Sequence, residues 1–279
     1  MITRRNVLQA AGAAALAGQA LKAETTGGGR LNQCVARWCY RKYSLDELAQ
    51  ASAKIGLKGI DLIDHTEWPT VTKYGLIPSM TPGAGNIPDC WNRISNHDKL
   101  VAEMTENLGR AADAKVPNVI TFSGNRKGQP DGEGLENCVT GLNKIKKLAE
   151  EKGVMVNLEL LNSKVDHHDY QCDHTAWGVE VIKRVGSPNV KLLFDIYHMQ
   201  IMEGDIIRTI RANYDFIGHF HTGGVPGRHE LDGTQELNWR AIATAIADLG
   251  YKRYIAHEFV PIAPDPIASL KQAYDTMNV

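Results

Sequence analysis

Residues 190–222, VKLLFDIYHMQIMEGDIIRTIRANYDFIGHFHT, decide the fold. The run Val190 to Ile196 is apolar and carries an acid, Asp195, at its end. DIIRTIRANYD then repeats apolar residues at helical spacing, and Phe216 to Thr222 is again an apolar run, with His221 at its end. Strand, helix and strand in 33 residues read as a βαβ unit, because a parallel return needs a crossover of about that length.

Working outward, the same alternation fills the chain from the polar joint Thr25 to Arg30 to its end. The other strand candidates are Gln33 to Cys39, Gly59 to Asp64, Tyr74 to Ser79, Asn118 to Ser123, Val154 to Leu160 and Tyr254 to Val260. Helical patterns lie between them; SLDELAQASAKIG opens on Ser44 and Glu47 in capping-box spacing and stops at Gly56. HTEWPTVTK is too short and Pro-interrupted for a full helix. Eight βα repeats in about 250 residues match a closed (β/α)8 barrel, an α/β TIM barrel forming one domain over residues 24–279. The alternative is an open doubly wound sheet, but no GxGxxG or GxxxxGK[ST] follows a strand. The longest irregular piece, Thr81 to Asn96, is placed as a candidate lid.

A chain of 279 residues that is 43% hydrophobic and 23% charged can bury a full core, which excludes disordered and fibrous classes. The first 23 residues have a basic start, Arg4 and Arg5, then a weakly apolar Ala/Gly/Leu stretch and small residues. They read as a twin-arginine export signal, which places the mature protein in the periplasm or outside the cell. Without Arg4, Arg5 and Lys22 the chain has 28 basic against 32 acidic residues, a net charge of −4. Such a surface argues against nucleic acid as a partner, and no later segment offers a membrane span. Nothing in the sequence bears on subunit association. The five cysteines show no CxxC spacing, so neither zinc knuckle nor disulfide framework is expected. Cys34 and Cys39 fall on one expected strand, about 16 Å apart at the rise of an extended chain, beyond disulfide reach.

In a barrel the C-terminal strand ends face the active site, so polar residues there need an explanation. Glu159, Asp195 and His221 each stand five positions after a strand start and Glu258 stands four after, which puts all four at one height. Three carboxylates and an imidazole converging in one pocket repel each other unless a cation intervenes. The oxygen-rich set suits one divalent ion, Mn²⁺ or Mg²⁺, with Co²⁺ or Zn²⁺ able to compete. His198, three after Asp195, lies where it could touch substrate. Arg228, in the Gly/Pro-shaped loop GGVPGRHE after the seventh strand, has the planar fork that suits a carboxylate. His219 shares the parity of His221 one layer deeper, and His257 has the parity opposite to Glu258 and should face the helices. Tyr170, His167 and His168 mark the loop after the fifth strand as a pocket wall.

The segments LELLNSKVDH, KLLFDIYHMQ, GHFHTGGVPGRHE, TQELNW and HEF, in this order and spacing, resemble the hydroxypyruvate isomerase branch of the xylose-isomerase-like sugar isomerase/epimerase superfamily. The resemblance covers Gln33 to Pro261 and is strongest from Val154 onward. It implies a (β/α)8 barrel with one divalent metal held by Glu159, Asp195, His221 and Glu258. It further implies Glu159 and Glu258 as the acid/base pair, and His198 and Arg228 as substrate contacts. Bacterial members of this branch often have Gln at the position of His221 and are usually cytoplasmic. His221 is closer to the ketose 3-epimerase branch, whereas the VPGRHE loop favours the hydroxypyruvate branch.

The reaction expected is isomerisation of a small hydroxy-keto acid or sugar, with hydroxypyruvate to tartronate semialdehyde through an enediolate as the leading case. One Glu removes a proton and the other returns it on the neighbouring carbon. Three other readings stay open: ketose 3-epimerisation or another sugar isomerisation, metal-dependent cleavage of damaged DNA, which the acidic balance disfavours, and a non-catalytic exported carbohydrate-binding protein.

Overall fold

The computed structural model describes residues 29–279, so the expected export segment lies outside the described residues. Nine strands follow in chain order: β1 Asn32–Ala36, β2 Gly59–Asp61, β3 Ile77–Pro78, β4 Thr81–Ala84, β5 Asn118–Thr121, β6 Met155–Glu159, β7 Val190–Asp195, β8 Ile217–Thr222 and β9 Tyr254–His257. The helices between and after them are α1 Leu45–Ile55, α2 Trp68–Thr72, α3 His97–Asp113, α4 Asp131–Lys152, α5 Thr175–Val185, α6 Ile196–Met202, α7 Ile206–Asn213, α8 Trp239–Asp248 and α9 Pro266–Met277. Ser44 and Glu47 form the expected capping box on α1, and Gly56 closes it at φ 104°, a left-handed conformation that glycine adopts without penalty. α2 is a single short turn with Pro69 near its start, as HTEWPTVTK implied.

Every strand pairs parallel to its neighbours, in the order β3-β2-β1-β9-β8-β7-β6-β5-β4. The two ends of that order, β3 and β4, are consecutive in the chain and separated only by Ser79 and Met80. The amides of Leu62 and Ile63 both donate to Met80 O, at 2.9 and 3.4 Å, which bridges the gap. β3 and β4 are therefore one barrel stave interrupted in the middle, and the nine strands make eight staves around a nearly closed ring.

Two expectations need correction here. Thr81–Ala84 is part of the barrel wall, so the irregular segment begins only at Gly85. The sequence TPGA hides this because Pro and Gly are poor strand formers. Gly83 is nonetheless required, since a Cβ there would sit 2.6 Å from Ile120 O across the pairing with β5. Cys39 also leaves the expected first strand: β1 ends at Ala36, and Arg37–Tyr40 turns as a 3₁₀ helix. The Arg37 guanidinium holds that turn by donating to the carbonyls of Tyr40 and Tyr43, at 3.0 and 3.1 Å. All five cysteines are free thiols.

Met80, Ile120 and Leu193 form a small buried cluster of their own, flanked by Leu62 and Phe122. Leu193 stands two residues before Asp195 on the same face of β7, so this cluster is the apolar floor on which the strand-end polar residues rest. The much larger apolar cluster fills the layer between strands and helices. Among the described residues, no helix is long and apolar enough to cross a membrane.

Candidate active site

The four strand-end residues converge. Ligand atoms of Glu159, Asp195, His221 and Glu258 all lie within 4.8 Å of one another, and all four side chains are buried. They do not stand at one level of the hydrogen-bond register. Glu159 is opposite Leu193 on β7, Asp195 is opposite His221 on β8, and His221 is opposite Ala256 on β9, two before Glu258. The ligand position thus climbs by two residues between β6 and β7 and again between β8 and β9. Strand tilt in a barrel requires such a stagger, and a step of two keeps every side chain on the inner face.

His221 is the hub of the cluster. Its Nδ1 lies 2.7 Å from Glu258 Oε2, 3.3 Å from Glu159 Oε1 and 3.9 Å from Asp195 Oδ2. That nitrogen is buried and forms no hydrogen bond of acceptable geometry. A buried ring nitrogen facing three carboxylate oxygens, unsatisfied by the protein itself, fits a divalent cation with mixed oxygen and nitrogen ligation.

The neighbours set the charges. Burial raises the Glu159 carboxyl, and the charge of Glu258 adds to that against the pull of His221. Burial lifts Asp195 to about 7, with Arg228 opposing. Glu258 goes the other way: burial would raise it, but Arg228 and His221 hold it well below the usual carboxylate range. His198 is pushed far below its ordinary value by burial and by Arg228, so it is neutral. His221 is raised in spite of burial, because the surrounding carboxylates, Glu258 first, favour its cation.

Arg228 joins the cluster directly. Its Nη2 donates to Asp195 Oδ2 at 2.7 Å and also to Glu258 Oε2, its Nε donates to Glu258 O at 3.0 Å, and its Nη1 stands 2.9 Å from His198 Nε2. The guanidinium carbon lies 5.5 Å from the Trp38 ring centroid and 5.0 Å from that of Tyr197, a cation–π sandwich. His198 is anchored from behind by Asn162 Nδ2 at 2.7 Å, and its amide donates to Asp195 Oδ1 as the cap of α6.

His167 lines the site, whereas Tyr170 stands behind it, fully buried, and donates to Glu159 O at 2.8 Å. His168 is exposed and bonds only Ser163 O at 3.2 Å. His219 lies beneath His221, and His257 points outward to Gln33 Oε1 and Thr222 Oγ1, at 2.9 and 3.1 Å.

A cavity of about 240 Å³ opens over Glu159 and Glu258, walled by Trp38, Leu62, Ile87, Ile120, Phe122, Leu161, His167 and Arg228. Ile87, from the candidate lid segment Thr81 to Asn96, lines this cavity. A wider vestibule of about 480 Å³ continues past Trp38, His167 and Arg228 toward Tyr197, Val225 and Val260. Trp38, Asp61, Asn162 and Tyr197 are the site residues that sequence reasoning passed over. Asp61 carried a signal, an acid at the end of the strand run GID, but Trp38 lies in a turn with no motif around it.

The family described as xylose isomerase-like TIM barrel matches residues 23–276. A Homo sapiens protein named "Putative hydroxypyruvate isomerase" is 34% identical over 178 residues, which is 64% of this chain and 52% of that one. "D-psicose 3-epimerase" of Ruminiclostridium cellulolyticum is 33% identical over 144 residues, 51% of this chain and 47% of that one. The matched region therefore spans about half the length of each of these curated relatives. In three dimensions, the structure titled AP endonuclease, family 2, from Brucella melitensis covers 86% of this chain and 97% of its own with a TM-score of 0.75, at 21% identity. That likeness concerns the fold alone.

Proposed function

The chain belongs to the xylose isomerase-like TIM barrel family, and on that premise we propose that it is a metal-dependent isomerase of a small hydroxy-keto acid, with hydroxypyruvate to tartronate semialdehyde as the reaction. The observation that carries this reading is the convergence of Glu159, Asp195, His221 and Glu258 beneath a cavity of about 240 Å³. These four would hold one divalent ion. The oxygen-rich set favours Mn²⁺ or Mg²⁺ over Co²⁺ or Zn²⁺. When bound, the ion would polarise the substrate carbonyl and acidify the adjacent C–H.

The chain's own residues supply the rest. Glu159, on β6, and Glu258, just beyond β9, both line the cavity and reach its floor from different strands. One takes a proton from the hydroxyl-bearing carbon and the other gives a proton to the neighbouring carbonyl carbon, while the hydroxyl proton passes to the former carbonyl oxygen; the two carboxyls regain their starting states by exchanging protons with solvent. Arg228 lies at the junction of cavity and vestibule, where its fork can pair with the substrate carboxylate. His198, neutral and held by Asn162, is fully buried and lines neither cavity, so it acts on the substrate only through Arg228, whose Nη1 it meets at 2.9 Å. The apolar walls Leu62, Ile87, Ile120, Phe122 and Leu161 exclude water and strengthen each of these interactions. Ketose 3-epimerisation is the second reading, favoured by a His rather than Gln at 221 and by the epimerase relative.

Purified protein assayed on hydroxypyruvate and on a panel of ketoses, with Mn²⁺ or with chelator, tests this. Chelator-sensitive turnover of hydroxypyruvate is the expected result. Turnover confined to ketoses establishes the epimerase, and sugar binding without turnover establishes a binding protein. We also propose that Arg4 and Arg5 direct export; replacing both by Lys should retain the precursor in the cytoplasm, and normal delivery of that variant rules the signal out.

A further inference from the structure

Asp61 ends β2 and is completely buried. Its Oδ2 stands 2.9 Å from His219 Nε2 and 3.0 Å from His221 Nε2, so two imidazoles meet one carboxylate oxygen. Its other oxygen accepts the hydroxyl of Ser79, from the interruption between β3 and β4. Three donors from two sides of the barrel thus determine where this carboxylate sits.

We infer that Asp61 is a positioning residue that aims His221 Nδ1 at the metal; the inference rests on the isomerase reading above. An ionised carboxylate only accepts, so each imidazole must carry its proton on Nε2. For His221 this leaves Nδ1 as the nitrogen that gives up its proton when a metal ion binds, and the ring plane is pinned so that Nδ1 points among Glu159, Asp195 and Glu258. Turning the ring over would set the Nε2 edge against those three carboxylates and leave Asp61 without its donor.

His219 explains why the arrangement is rigid. Its ring meets that of His221 nearly perpendicularly, with centroids 5.2 Å apart, and its Nδ1 is buried without a hydrogen-bond partner. Its one polar contact among the described residues is with Asp61, so it acts as the second clamp on Oδ2. Asp61, His219 and His221 do not enclose an ion of their own, because both Nε2 atoms already meet the same oxygen at hydrogen-bond distance. Holding a ligand imidazole through its second nitrogen typically changes metal affinity 10- to 100-fold.

The test is a Mn²⁺ titration of the full-length protein, competed against a chelator of known affinity, for wild type, Asp61→Asn and Ser79→Ala. Melting of each variant in excess EDTA is measured alongside. Asp61→Asn keeps size and shape but removes the negative charge from the oxygen that both imidazoles meet, so it should weaken Mn²⁺ binding about 10- to 100-fold. Ser79→Ala loosens only one clamp and should give a smaller loss, which keeps the inference testable if Asp61→Asn fails to fold. Equal Mn²⁺ affinity in both variants, or an effect seen only in the EDTA melting temperature, overturns the role of Asp61. Two Mn²⁺ ions per wild-type chain would do so as well, by making Asp61 a ligand. A wild type that binds no Mn²⁺ overturns the isomerase reading itself.

Discussion

Arg228 Nη2 lies 2.7 Å from Asp195 Oδ2, and the same nitrogen reaches Glu258. A loop arginine is thereby tied to two of the four residues of the strand-end cluster. The contact depends on an unusual backbone: Arg228 has φ 58°, a left-handed conformation that costs a non-glycine residue roughly 1 kcal/mol or more. The amide of Val260 donates to Arg228 O at 2.7 Å and offsets that strain.

Arg228→Lys keeps the charge and loses both the fork and the stacking between Trp38 and Tyr197. KM for hydroxypyruvate should rise on the order of 10-fold or more, with a much smaller change for uncharged ketoses. Steady-state kinetics on both substrate classes check this. Equal losses on the two would mean that Arg228 serves the cluster and not the substrate.

Glu159→Gln and Glu258→Gln preserve size and one oxygen but remove the base. Each should cut turnover by about 10²- to 10⁴-fold when measured at saturating metal. In D₂O the wild type should place solvent deuterium on the carbon that receives the proton. Full retention of the substrate hydrogen would point to internal transfer, and near-normal turnover in either variant removes that residue from the proton path.

Acid sensitivity should trace in part to Asp173, on the loop between β6 and α5. Burial disfavours its anion, but Arg126, Ser163 and His174 outweigh that and hold its carboxyl below the usual range. A carboxyl lowered on folding stabilises the protein above its unfolded value, about 3.9, and that contribution is lost as pH falls through the native value. Asp173→Asn should therefore cost about 1.5–3 kcal/mol at pH 7, the worth of charged hydrogen bonds to a partner such as Arg126, here 2.9 Å away. The gap to wild type should close as pH drops below about 3.9. Urea denaturation at pH 7 and pH 3 measures both; a gap that does not change with pH assigns the effect to packing.

Gly141 on α4 lets the segment that carries Ile87 pack down. A Cβ there would meet the Trp91 ring at 2.5 Å and His97 Nε2 at 3.0 Å. Trp91 cannot yield freely, since its Nε1 donates to Thr121 Oγ1 at 2.7 Å in the barrel wall. Gly141→Ala should lower stability by about 1–3 kcal/mol despite the better helix propensity of alanine. Unfolding followed by tryptophan fluorescence reads this, and a stabilised variant would show that the Trp91 contact is slack.

The alternation of apolar runs with helical repeats was legible in the chain because strand and helix periodicity are local properties, carried by residues within a few positions of one another. The same local reading placed Glu159, Asp195, His221 and Glu258 at strand ends, since the position of a polar residue in an apolar run needs no knowledge of its neighbours in space. The tertiary structure alone decided how they meet. Their two-residue stagger follows from strand tilt, a property of the closed ring. TPGA is a stave because Gly83 permits the approach of Ile120, and its own propensities give no hint of it. Asp61 meets His219 and His221 across about 160 residues of chain, and Arg228 meets Asp195 across 33. Such pairings arise from the geometry of barrel closure, which brings together groups that no local pattern connects.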